Sequence, residues 1–313
     1  MTTLAWATAI LAQSGADEAT RRHLQLVTDV AKRTSVAPSV TATVTQVRGL
    51  VAGIKGHHGR AAPLYSKASR YWQEAGNQRQ FCLNQTYLAT ALRNLGQYQA
   101  AKKILVETRA LALRLRADWL IGVTCIYLAA SLVRLGELDA GEALLRQQIA
   151  ENQTETARAA ARCFLTEALL ERCDLDGVLD QSGYALPILQ AIPSLRIFML
   201  ALRARAFFGL GRIDQALREA TTGMQLLYSL GGSEEGDGLI RVTHGEVLRA
   251  AGEHERARKA IVAARDCLLV RAAEIEIPAW RDSFLGAVAE NCRTLELARA
   301  WLATRASRDT RLG

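Results

Sequence analysis

Proline is scarce in this sequence, with five among 313 residues, and aromatic side chains make up only 6%. Proline interrupts a helix by removing an N–H donor and locking φ, so its scarcity leaves long helices open to the chain. Long β-branched runs are few, which argues against a sheet protein. No apolar run reaches the roughly 20 residues that a membrane-spanning helix requires. The stretch from Leu4 to Leu11 has a short apolar core, yet no Lys or Arg precedes it, and a secretory signal needs that basic start.

Patterns that carry chemistry are missing as well. Cys82, Cys125, Cys163, Cys173, Cys267 and Cys292 stand far apart, with no Cys-x-x-Cys and no histidine at metal-ligand spacing. Five of them sit among apolar residues at helical spacing, where a free thiol behaves as a small hydrophobe, and a reducing cytoplasm is the expected setting. There is no Gly-x-x-x-x-Gly-Lys-[Ser/Thr] phosphate loop, no His-Arg-Asp and no Asp-Phe-Gly. The glycines between Gly231 and Gly238 do not make a phosphate cradle, because Glu234, Glu235 and Asp237 would repel an anion. His23, His244 and His254 have no Cys, Asp or His one helical turn away, and His57 and His58 fall in a turn where both rings are expected in water. Glu167 and Glu171 share a helix face, but acid–base catalysis also needs a pocket and a proton partner. The chain is therefore read as a non-enzyme without metal or cofactor.

What the sequence has in abundance is Ala, 53 residues, and Leu, 45. Both favour helix, so an all-α protein is expected. Cations outnumber anions 39 to 31, and 33 of the cations are Arg. The surplus is spread along the chain, with no dense basic run and no helix-turn-helix signature, so it reads as a solvated helical surface and specific nucleic-acid binding is not expected.

A repeat underlies this composition. A Gly that ends one helix is followed five residues later by a small residue in the next, at Gly56 with Ala61, Gly96 with Ala101, Gly136 with Gly141, Gly211 with Ala216 and Gly252 with Ala257. A degenerate copy places Cys173 with Val178, and the anchors then lie 40, 40, 37, 38 and 41 residues apart. The clearest copies read LATALRNLGQYQAAKKIL from Leu88 and LAASLVRLGELDAGEALL from Leu128. Each has apolar residues at helical spacing, a Gly-containing turn and a second amphipathic helix. A unit of this length leaves two helices of roughly 25 Å each. Such a hairpin cannot bury its apolar face alone and must stack on its neighbours. The expected architecture is a right-handed α-solenoid with a concave groove.

The pattern resembles the tetratricopeptide repeat family over about residues 40–270. The matching positions are the small residues of the first helix (Gly49, Ala89, Ala129, Ala204, Gly245), the turn glycines, and the small residues of the second helix, with Tyr65, Leu105, Leu145 and Ile261 four positions further on. The closing Pro is absent from most copies and the period exceeds the family's 34. That departure is similar to the longer repeats in sensor regions of bacterial signalling proteins, including kinases and ATP-dependent regulators. The chain reads as one solenoid domain, 1–313: N-terminal helices over 1–38, about six repeats over 39–275, and capping helices over 276–313. The segment from Glu290 to Leu302 is the expected cap, and Ser229–Gly238 the expected mobile loop.

The resemblance implies that the first helix of each pair lines the groove. Its outward positions are Thr86, Thr90, Arg93 and Asn94; Val123, Ile126, Ala130 and Arg134; Cys163, Glu167, Leu170 and Glu171; Phe198, Arg205 and Phe208; and Val242, Glu246 and Arg249. The chaperone-tail specificity of some family members needs Lys and Asn at positions held here by Gln46, Leu50, Tyr87, Val123 and Tyr127, and is not expected. A mixed-charge groove suits a peptide with charged and apolar side chains, Arg gripping carboxylates in bidentate pairs. An alternative pairs these Arg and Glu residues with each other across adjacent helices, and Phe198 and Phe208 read equally well as core. The expected function is a non-catalytic scaffold or adaptor for a protein or peptide, in signalling or as a subunit of a larger complex. The second possibility is a sensor that binds a small molecule or signalling peptide and regulates an effector.

Overall fold

The computed structural model describes residues 2–33 and 37–309. Residues 34–36 and 310–313, at the ends of the expected N-terminal and capping segments, lie outside the described residues. Among the described residues the chain forms 16 α-helices and no strand. They run as antiparallel pairs: α1 (Thr2–Gln13) with α2 (Asp17–Arg33), α3 (Pro38–Ile54) with α4 (His58–Glu74), and α5 (Gln78–Asn94) with α6 (Tyr98–Arg114). Next come α7 (Asp118–Arg134) with α8 (Leu138–Glu151), α9 (Glu155–Glu171) with α10 (Leu175–Ala185), α11 (Pro193–Gly209) with α12 (Ile213–Leu230), and α13 (Asp237–Ala250) with α14 (His254–Ala273). The helices α15 (Pro278–Gly286) and α16 (Ala289–Asp309) follow, α16 packing on α13 and α14. The pairs stack in order into a right-handed α-solenoid.

The turn residue explains why each pair folds back where it does. At Gly56 the backbone is left-handed (φ 77°), its N–H donates to Gly53 O and the next N–H, of His57, donates to Ala52 O. These two bonds satisfy carbonyls that a helix end otherwise leaves open. The pattern recurs at Gly96, Gly136, Gly211 and Gly252, and Cys173 adopts it too at φ 60° with Asp174 N donating to Leu169 O. The small helix positions act through close approach: a Cβ on Gly49 would lie 2.8 Å from the Tyr65 ring, and one on Gly245 2.6 Å from Ile261.

Curvature brings the last helices back against the first. Ala61, Ala62 and Tyr65 of α4 and Ala91 of α5 share an apolar cluster with Leu268 of α14, Phe284 of α15 and Val288. Polar contacts follow the same seam. His57 Nδ1 lies 2.7 Å from Glu274 Oε2, Arg60 lies 2.9 Å from the same carboxylate, and Ser283 Oγ donates to Leu95 O at 2.7 Å. The connection from α12 to α13 passes through the middle. Its residues Ser233 and Glu235, and Asp237 at the start of α13, are buried, which corrects the expectation of a mobile loop. Gly236 is left-handed (φ 75°), and a Cβ there would sit 2.6 Å from Phe198 Cα, so the loop reaches the inner wall only because that position has no side chain.

Gly236→Ala is expected to cost at least about 2 kcal/mol, since left-handed strain of about 1–2 kcal/mol adds to a clash with backbone. Gly76→Ala, at φ 67° with open space around it, bears the strain alone and is expected to cost about half as much. Denaturant unfolding of the two variants checks the ratio.

Candidate functional site

The first helices of the pairs line the inner surface, but the side chains expected to face an open groove are largely occupied. Thr86 and Thr90 are buried, their hydroxyls donating to Cys82 O at 3.1 Å and Thr86 O at 3.0 Å, and Thr86 Oγ1 meets Thr124 Oγ1 at 3.3 Å. Arg93 is 2% exposed, its guanidinium on the Glu235 carboxylate and 5.3 Å over the Phe164 ring. Asn94 donates to Thr90 O at 3.2 Å. Arg134 of α7 bridges Glu167 of α9 at 2.6 Å and Glu290 of α16 at 2.9 Å. Arg205 of α11 pairs with Glu246 of α13 at 3.1 Å, and Glu246 also holds Arg293 of α16 at 2.8 Å. Phe208 is half-buried beside the Phe207, Ala216 and Val247 cluster, and Phe198 is core. Glu171 and Arg249 are exposed, Arg249 lying 4.7 Å over the Trp301 ring.

Two corrections follow. Arg93, Arg134 and Arg205 are not a free row of cations: Arg134 pairs with Glu167 and Arg205 with Glu246 across helices, as the alternative reading held, and Glu235 of the loop neutralises Arg93. The groove is not open along its length either, because the loop from Gly231 to Gly236 crosses it. Arg93, Arg134 and Glu167 do come together, joined by Glu235 and Glu290. The Arg205 and Glu246 pair forms separately.

Burial sets the protonation of the groups around the loop. His58 is buried in α4 and donates its Nε2–H to Glu234 O at 3.1 Å, while Nδ1 has no partner. Burial, reinforced by the charges of Arg271 and Arg93, holds its pKa down to about 3, so the ring is neutral and its expected solvated state is corrected. Burial pushes Glu167 up despite Arg134 beside it. Glu290 is also pushed up by burial, but Arg134's charge and hydrogen bond outweigh that and leave it below the usual carboxylate range. Glu234 is raised to about 7, first by burial and then by the neighbouring Glu235 charge.

Two of the cavities that the loop borders matter here. The smaller, about 60 Å³, is lined by Arg93, Arg134, Arg241 and Arg271 with Glu234, Asp237 and Glu290. The larger, about 340 Å³, opens between α3, α5, α7 and α9. Tyr87, Trp119, Val123, Ile126, Tyr127 and Phe164 make much of its wall, Trp119 stands 63% exposed at the side, and Glu234 and Glu235 are the charged residues of its lining. A volume of several hundred cubic ångströms with mostly apolar walls and a few polar groups is the usual form of a small-ligand site. Among the described residues no group of three His, Cys, Asp or Glu side chains is placed to hold a metal ion.

The sequence reading reached part of this wall. Val123 and Ile126 came from repeat position, and Leu50, Tyr87, Val123 and Tyr127 from the positions that lack a clamp's cations. It missed Glu234 and Glu235 as cavity-lining groups, and Trp119 and Phe164 altogether. A clue lay in the loop itself, where two adjacent acids sit between glycines in an otherwise basic chain.

A family model described as "Tetratrico peptide repeat" matches residues 43–114 and 109–177. Among solved structures, the chain is similar to a Rap protein complexed with Competence and Sporulation Factor, with a TM-score of 0.61 and 11% identity, covering 90% of this chain and 81% of that one. It is also similar to yeast Tom70, with a TM-score of 0.54 and 12% identity, covering 93% of this chain and 60% of that one. Likeness at such identity concerns the fold. No curated protein matches the chain by sequence.

Removing one member of the buried Arg93–Glu235 pair leaves an uncompensated charge, so Arg93→Ala and Glu235→Ala are each expected to cost about 3–5 kcal/mol. The double variant Arg93→Met with Glu235→Leu is expected to recover most of that in chemical denaturation. Glu234 binds more protons in the folded chain than unfolded between its ordinary value of 4.5 and about 7, so its contribution to stability falls as pH rises through that window. Glu234→Gln removes the effect and is expected to raise the melting temperature by a few degrees at pH 8, on the order of 2 kcal/mol, with little change at pH 4. Scanning calorimetry at both pH values reads this directly.

Proposed function

We propose that this chain, whose residues 43–177 match the tetratricopeptide repeat model, is a non-catalytic recognition module that takes a compact ligand, a short peptide or a small molecule, into the 340 Å³ cavity of its inner face. The single observation that carries the reading is the cavity itself. The crossing loop takes up the cations that would grip an extended peptide, yet leaves an aromatic-walled chamber unfilled beside it. The similar Rap protein was crystallised with Competence and Sporulation Factor bound, which agrees with a ligand-receiving solenoid.

This reading moves weight from the extended-peptide adaptor toward the sensor. A ligand in the chamber touches α7, α9 and the loop at once, so it changes how firmly the loop ties the first pairs to the last helices. That tie is the element through which an effector would be regulated, and a role in bacterial signalling rests on the long-repeat resemblance. The six cysteines, all free thiols, suit a reducing cytoplasm. Among the described residues no helix is long and apolar enough to cross a membrane. Much of the arginine surplus is spent in ion pairs such as Arg172 with Glu142 and Arg271 with Asp237, which speaks against a specific nucleic-acid surface.

A ligand that binds only the folded chain raises its stability by mass action. Fractions of peptide and metabolite extract that raise the melting temperature of the wild type are expected to lose the effect with Val123→Trp, which fills the chamber from a half-buried wall position. A ligand whose stabilisation survives that substitution binds elsewhere and sinks the assignment.

A further inference from the structure

The larger cavity has an unusual charge balance for this chain. The protein carries 39 Lys and Arg against 31 Asp and Glu, yet among the described residues the cavity lining includes Glu234 and Glu235 and no Lys, Arg or His. Glu235 is spent on Arg93. Glu234 is not: its backbone carbonyl accepts the His58 proton, while among the described residues its carboxylate has no ion pair and Arg93, already held by Glu235, is a cation that favours its ionised form. Glu234 lies on the boundary of both cavities, and a buried carboxylate without an ion pair is costly, so a charge supplied from the larger cavity relieves that cost.

The walls suit the same charge. Tyr87, Trp119, Tyr127 and Phe164 bring four aromatic rings to one chamber. The electron-rich face of an aromatic ring attracts a cation, most strongly where water is excluded. Phe164 already does this on one side, where Arg93 lies 5.3 Å over its ring. An anion would meet two carboxylates, and a neutral apolar molecule would leave Glu234 unpaired.

We propose that the cavity binds an organic ammonium group carried on an apolar body, with the Glu234 carboxylate as its counter-ion and the aromatic wall around it. The inference rests on the reading of this cavity as the ligand site and narrows it to a charge and a shape. Both a free aromatic or aliphatic amine and a lysine-bearing short peptide offer this chemistry.

A pH signature follows. The titratable and charged groups that face Glu234 are His58 and Tyr65 of α4, Tyr87 and Arg93 of α5, Tyr127 of α7 and Glu235 of the loop. His58 is neutral down to about pH 3, the three tyrosines are pushed upward by burial, and Arg93 stays charged. Glu234, raised to about 7, changes charge between pH 5.5 and 8. Cation binding draws on its ionised form, and affinity must fall on acidification.

The test is calorimetric titration of the full chain at pH 8 with 2-phenylethylammonium, its neutral counterpart 2-phenylethanol and its anionic counterpart 3-phenylpropionate. A second pair, acetyl-Leu-Lys-Leu-amide and the same peptide with acetylated lysine, distinguishes the sources. The ammonium is expected to bind at least about tenfold more tightly than the alcohol, to lose that advantage in Glu234→Gln, and to weaken about tenfold or more in the wild type between pH 8 and pH 5.5. The pH series needs no variant and so does not depend on how Glu234→Gln folds. Preference for the lysyl peptide over its acetylated form assigns a peptide source, and preference confined to the small amine assigns a free amine. Equal binding of ammonium and alcohol, blocked by Val123→Trp, overturns the cation inference and leaves the cavity standing as a ligand site. Absence of binding by every probe at millimolar concentration overturns both.

Discussion

The buried pair between Arg93 and Glu235 holds the two halves of the solenoid together. Arg93 closes the first helix of the second repeat, Glu235 belongs to the loop that enters the seventh helix pair, and 142 positions separate them along the chain. Two charges removed from water gain little net energy from each other, and either one alone would be expelled. The pair therefore acts as a condition on the fold, since the loop is either docked on Arg93 or not inside the superhelix. Around it the Arg134 bridge to Glu167 and Glu290 ties in α9 and α16, and the Asp237 to Arg271 contact ties in α14.

Docking of the loop changes what the inner surface can do. An empty superhelix offers a long trough for an extended chain, whereas this one offers a chamber bounded by the loop on one side and by the inner helices on the other. The loop brings its own chemistry to that boundary. Glu235 is consumed in holding position, and Glu234, one residue earlier, is carried to the aromatic wall with its backbone fixed by His58. Both acids line the larger cavity, Glu235 paired with Arg93 and Glu234 without an ion pair among the described residues. Burial, and then the Glu235 charge beside it, raises the pKa of Glu234 to about 7.

The repeat was legible because its signals are local. A left-handed turn residue, a small residue five positions later and apolar spacing at the helical period each act within one hairpin, so they survive in sequence even where Cys173 replaces glycine. The same locality explains the wall residues that repeat position selected, Val123 and Ile126 among them. It also explains the errors. A loop of glycines and acids looks like a mobile linker when its partners, Arg93 and Phe198, are more than 30 residues away. Arginines at outward positions look free when the carboxylates that claim them come from α13, α16 and the loop.

By itself the sequence determined an all-α chain of stacked hairpins, the places where each hairpin turns, and the helix face that points inward, because all of these follow from backbone geometry and burial within about 40 residues. Whether that inner face is open or closed, which of its charges are free, and where a cavity remains were decided only by tertiary structure. The reason is that the superhelix accumulates small rotations over many pairs. Only their sum brings α14, α15 and the loop back against α4 and α5, where Glu234 acquires its aromatic surroundings and Glu235 its arginine.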